Sequence, residues 1–111
     1  MNHKKSSMRG LTRKRNALRQ KLAQWPEFVR GSVTSVCAGC NRAQCICEKK
    51  SSRRAYRLTY KDSAQKTRIV YVPRGRLPRI RTMIANYNRL RHLIEELIAT
   101  NIALFKEEAR H

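Results

Sequence analysis

A chain of 111 residues has room for one small domain with an extension. It buries only a modest core, so its shorter parts call for a staple such as a metal or a partner. With 26 Lys+Arg against 7 Asp+Glu the net charge is +19, a self-repulsion that needs a polyanion or strong solvation. Nucleic acid is the first candidate and an anionic membrane a distant second. No apolar run has the length of a membrane span, and no apolar segment of secretory kind follows the basic start Met1–Ser7.

The charge is uneven. Glu95, Glu96, Glu107 and Glu108 all lie near the end, which leaves 24 basic and 3 acidic residues in positions 1–94. A mitochondrial transit peptide is a minor alternative for the acid-free segment before Glu27. Lack of a secretory signal points to a reducing, cytoplasmic setting, with nucleoid association as a variant. There, clustered cysteines read as metal ligands before disulfides.

Residues 1–10 are polar and basic and read as a disordered arm. Leu11, Leu18, Leu22 and Trp25 recur at helical spacing, so residues 11–25 are predicted to form a helix that Pro26 ends. Its remaining surface carries Arg13, Lys14, Arg15, Arg19 and Lys21. That surface is either a solvated face or one laid along phosphates, which gives affinity without sequence information. Gly31-Ser32 marks a turn, and Val33–Val36 is a short β-like entry to the next segment.

All four cysteines fall in that next segment, in the pattern C-x2-C-x4-C-x-C: Cys37, Cys40, Cys45 and Cys47. Zinc takes four thiolates in a tetrahedron. Cys37-Ala-Gly-Cys40 has knuckle spacing, and an extended Cys45-Ile46-Cys47 points both thiols to one side. Structural zinc bound within residues 33–48 is the leading reading. An iron–sulfur cluster, disulfides or free thiols are alternatives, as is a set of Cys40, Cys45 and Cys47 completed by His92 or a partner residue. A four-cysteine site is closed, so its role is structural. It would present Asn41, Arg42 and Gln44 rigidly.

Lys49, Lys50, Arg53 and Arg54 follow in a basic loop. Tyr56–Tyr60 alternates strictly, with Tyr56, Leu58 and Tyr60 on one face and Arg57 and Thr59 on the other. Thr67–Val72 is equally strand-like, and a two-stranded hairpin over 56–72 with its tip near Asp62-Ser63 is expected. Arg57, Lys61, Lys66 and Arg68 are assigned to its outer face or tip. Tyr56, Tyr60 and Tyr71 read first as packing residues; base stacking requires that they be exposed. After Pro73, Arg74 and Arg76 extend the basic set. From Pro78 to about residue 109 a sustained apolar arc predicts a long amphipathic helix, roughly 45 Å for about 30 residues. Ile84, Tyr87, Ile94, Ile98 and Phe105 form a stripe for a partner helix or a second copy of the chain. Arg91 and Asn101 fall inside the arc, where a polar residue can set register.

The order Gly31-Ser32, Cys40-x4-Cys45-x-Cys47, Tyr56-Arg57-Leu58, Lys66-Thr67-Arg68, Tyr71-Val72-Pro73, Asn86-Tyr87-Asn88-Arg89-Leu90, Glu95-Glu96-Leu97 and Asn101 resembles a family of short prokaryotic proteins. Members are often found near transposases in mobile elements. The resemblance spans about residues 28–105 and implies the same order of cysteine loop, hairpin and long helix, with no established activity. Its three-cysteine core corresponds to Cys40, Cys45 and Cys47, with Cys37 additional. Where relatives carry a Gly-rich stretch before the first Tyr, this chain has Glu48–Ala55, rich in Lys, Arg and Ser.

The expected fold is therefore α+β: a basic N-terminal helix, a cysteine-rich metal loop, a two-stranded β-hairpin and a long C-terminal helix, all in one small domain. The expected function is that of a zinc-bound nucleic-acid-binding accessory protein, with DNA slightly ahead of RNA. The alternative is an oligomerisation or adaptor protein docking through its last helix. An enzyme is disfavoured: Asp62 is the only aspartate, and His3, His92 and His111 are scattered. No carboxylate cluster outside positions 95–108 could hold a catalytic metal such as Mg²⁺.

Overall fold

The computed structural model describes residues 3–37 and 54–110. The elements are α1 (His3–Ala23), β1 (Ser32–Cys37), β2 (Arg54–Lys61), β3 (Thr67–Val72), a 3-10 turn (Arg74–Arg76) and α2 (Leu77–Ala109). The class is α+β, with a three-stranded antiparallel sheet in the order β1-β2-β3. The chain divides into two compact units rather than one: the chain up to Pro26 together with the part of α2 from Asn88, and Glu27–Tyr87.

In the first unit, α1 begins at His3. The segment expected as a disordered arm is thus largely helical. Its residues include helix formers such as Lys4, Lys5, Met8 and Arg9, and one interior glycine, Gly10, costs only about 1 kcal/mol. Leu18 is buried against Leu90 and Leu93 of α2, and Trp25 and Leu97 pack on the same cluster. Leu90, Leu93, Leu97, Thr100 and Leu104 recur at alternating spacings of three and four along α2 and are buried or half-buried. That is the period of a helix–helix seam. The hydroxyl of buried Thr100 is satisfied within the helix, donating to the Glu96 carbonyl at 2.8 Å.

The second unit is built on the sheet. β1 pairs with β2 from Ser32↔Thr59 to Cys37↔Arg54, and β2 with β3 from Tyr56↔Val72 to Lys61↔Thr67. The segment Val33–Val36, read as an entry, is thus a full strand, and the hairpin is two-thirds of a sheet. Side chains alternate between the faces of a strand. Leu58 and Val72 are buried with Leu77 of α2, and Val29, Val33, Tyr56, Tyr60, Ile80 and Ile84 pack around them. Arg81 sits 5.9 Å from the centroid of the Tyr56 ring, within cation–π range.

Gly31 enters β1 where no side chain fits. A Cβ there would lie 2.7 Å from the Thr59 carbonyl oxygen and 2.9 Å from Leu58 Cδ1. Close approach to β2, rather than a turn, demands the glycine. The hairpin tip is held by Asp62, whose Oδ1 accepts the backbone N–H groups of Ala64 and Lys66 at 2.9 and 3.0 Å. Gln65 there adopts a left-handed φ of 65°. The connector after Pro26 is fixed to the start of α2 by Glu27, which takes two bonds from Arg79 at 2.8 and 2.9 Å. Buried Asn86 donates to the Glu27 carbonyl at 3.0 Å, and Phe28 stacks on Tyr87 at 6.2 Å.

Candidate nucleic-acid interface and metal loop

One face of the sheet packs on the first turns of α2; the other is buried at Val36, near the end of β1, and open along β3. On that outer face the register puts Thr34, Arg57 and Tyr71 side by side, with Ser32, Thr59 and Ile69 in the next row. Tyr71 is 64% exposed and Ile69 55%. An edge strand with two large apolar side chains open to water is unusual without a ligand or partner. Arg57 is half-buried, and its Nε is buried with no hydrogen-bond partner. A buried donor without an acceptor is costly, so this N–H is a strained feature of the outer face.

The three tyrosines, first read together as packing residues, therefore separate. Tyr56 and Tyr60 belong to the core cluster. Tyr71 lies one residue out of phase with β3's buried Val72 and faces solvent. Past the helix-covered part of the inner face, Val29, Leu58, Tyr60 and Val70 line an open cleft of about 510 Å³ rimmed by Arg30 and Lys61.

The expected cations fall into several situations. Arg13, Lys14, Arg19 and Lys21 are exposed on α1, Arg15 is half-buried there, and α1 contains no carboxylate. Arg15 also approaches the Asn16 side chain at 3.3 Å. Arg54 is turned inward: its Nη2 donates to the Ser35 hydroxyl at 2.9 Å and the Ser35 carbonyl at 3.2 Å. Arg68 is committed to Asp62 at 2.9 Å rather than lying on the Arg57 face. This bond, then the Lys66 N–H, holds the Asp62 carboxyl below its usual range. Arg79 does the same to Glu27, and Glu27 in turn raises Arg79. Arg74 and Arg76 are exposed on the 3-10 turn. Arg42, Lys49, Lys50 and Arg53 lie outside the described residues.

Of the expected metal ligands, Cys37 is described, and Cys40, Cys45 and Cys47 lie outside the described residues. Cys37 is the last residue of β1, 1% exposed and in register with Arg54, the first residue of β2. The chain thus leaves the sheet and re-enters it at one place, which closes the base of the cysteine loop. Burial of this kind is the common state of a packing cysteine, and no group of three or more potential metal ligands occurs among the described residues.

Of the stripe assigned to a partner helix, Ile84 is used inside the sheet core and Tyr87 stacks on Phe28. Ile94, Ile98 and Phe105 are exposed at 39%, 46% and 69%. No helix among the described residues is long and apolar enough to cross a membrane. Comparison with known proteins finds no matching family model, curated protein or solved structure.

Proposed function

We propose that the chain is a nucleic-acid-binding accessory protein that holds single-stranded nucleic acid on the outer face of its sheet. The observation that carries this reading is Tyr71, 64% exposed beside Arg57 on the β3 side of the outer face. Every base has a π-face, and stacking on an aromatic ring requires the base to be out of a duplex. Tyr71 offers the ring, Ile69 an apolar neighbour on the same face, and Arg57 a planar cation for base or phosphate. Ser32, Thr34 and Thr59 add hydroxyls along the adjacent strands. This moves the emphasis from DNA slightly ahead of RNA to single strands of either kind.

α1 supplies phosphate affinity of its own: eight Lys and Arg residues with no acid among them. Zinc belongs to the same proposal, held by Cys37, Cys40, Cys45 and Cys47 and structural in role. The cytoplasmic setting and the association with mobile elements, the latter implied by resemblance alone, belong to it too. A non-catalytic role fits the described carboxylates before position 95, since Glu27 and Asp62 are both committed to arginines.

Fluorescence anisotropy with labelled single-stranded RNA, single-stranded DNA and duplex DNA tests the reading. Single strands should bind more tightly than duplex. The logarithm of affinity should fall with the logarithm of salt by about 0.7 per phosphate neutralised. Failure to bind any probe at low salt would refute the proposal.

A further inference from the structure

The seam that α2 buries against α1 is followed, one residue on, by a second. Arg91, Ile94, Ile98, Asn101 and Phe105 repeat the three-four spacing about 100° round the helix, and all five are exposed. Ile102, 51% exposed, flanks them. A helix with one covered and one open heptad seam is built for contacts on two sides. We propose that a second copy of this chain covers the open seam, with the two α2 helices antiparallel about a twofold axis near Glu96.

The polar members of the seam choose that occupant and that direction. In the antiparallel register Ile94 of each copy meets Ile98 of the other, and Arg91 meets Asn101. The guanidinium then faces a side-chain carbonyl that can accept its hydrogen bonds. A parallel pair would instead place Arg91 against Arg91 in a layer that excludes water, a like-charge contact that opposes assembly. The self-complementarity is what an isologous twofold contact requires, because each residue's partner comes from the same surface patch. Glu95 of both copies approaches the axis. Arg91, four residues earlier in the same helix, is at the spacing that offsets that charge.

Sedimentation equilibrium on the full chain at micromolar concentration tests this. The wild type should be a dimer, and Ile98→Asp should be a monomer with unchanged helical circular dichroism, since Ile98 is outside the seam that folds the unit. Asn101→Glu gives each Arg91 a carboxylate partner across the antiparallel interface and should tighten the dimer by roughly 2- to 30-fold. In a parallel pair the same change would set Glu against Glu and loosen it. A monomeric wild type, a dimer indifferent to Ile98→Asp, or a dimer weakened by Asn101→Glu would each overturn the proposal. If Ile98→Asp loses its helicity, the Asn101→Glu result decides alone, because that position is solvent-exposed within one chain.

Discussion

Replacing Tyr71 with alanine separates binding from folding more cleanly than any other single change on the sheet. The side chain is 64% exposed and lies outside the cluster of Leu58, Val72 and Leu77. Its loss should leave folding stability within about 0.5 kcal/mol of the parent. Stacking of a base on an aromatic side chain is worth about 1–3 kcal/mol. The dissociation constant for a short single strand should therefore rise about 5- to 150-fold, at 1.4 kcal/mol per factor of ten. Tyr71→Phe keeps the ring and should stay close to wild type. Anisotropy titrations at one fixed salt concentration, with urea unfolding run alongside, would read both quantities. The slope of affinity against salt should be nearly unchanged in Tyr71→Ala, because no phosphate contact is removed. Equal affinities for the wild type and Tyr71→Ala would refute the stacking role. A large loss of folding stability would refute the claim that the Tyr71 side chain is free of structural duty.

Other expected outcomes concern the frame. Gly31→Ala forces a Cβ to within 2.7 Å of the Thr59 carbonyl oxygen, which backbone cannot easily yield, and should cost about 1–3 kcal/mol in urea unfolding. Leu18→Ala removes a buried side chain that α1 gives its unit and should cost about 2–5 kcal/mol by the same measurement. Depressed folded-state carboxyls at Glu27 and Asp62 mean their contribution to stability is complete above the usual values of 4.5 and 3.8. It is lost as pH falls below those values toward the folded-state ones, and Glu27→Gln should remove the Glu27 part of that acid dependence. Metal analysis should find about one zinc per chain, and Cys37→Ser should lower its retention during dialysis against a chelator.

Periodicity carried much of this fold into view, since it reports directly on burial. The alternation of Tyr56 to Tyr60 placed Leu58 inside and Arg57 outside, as the register shows. The arc from Pro78 onward gave α2 to within a residue or so at each end. What alternation could not supply was pairing. Val33–Val36 is four residues of β-like character whose partner, β2, lies beyond the cysteine loop, and local pattern carries no such long-range information. The same blindness put Tyr71 among the packing residues. β3 is an edge strand, and only the position of α2 determines which of its faces is covered. Pairing partners decided the cations as well: Arg68 looked available until Asp62, six residues earlier, turned back to meet it. Gly31 was legible as a special position but for the wrong reason, because a glycine required by close approach looks identical in sequence to one required by a turn.

Ultraviolet cross-linking of the full chain to a short single-stranded oligonucleotide, followed by mass-spectrometric mapping of the adducts, addresses the central claim at residue level. The account predicts a nucleotide adduct on Tyr71, suppressed when unlabelled single strand competes and much less when duplex does. Adducts confined to α1 or the 3-10 turn, with Tyr71 unmodified under saturating binding, would contradict it.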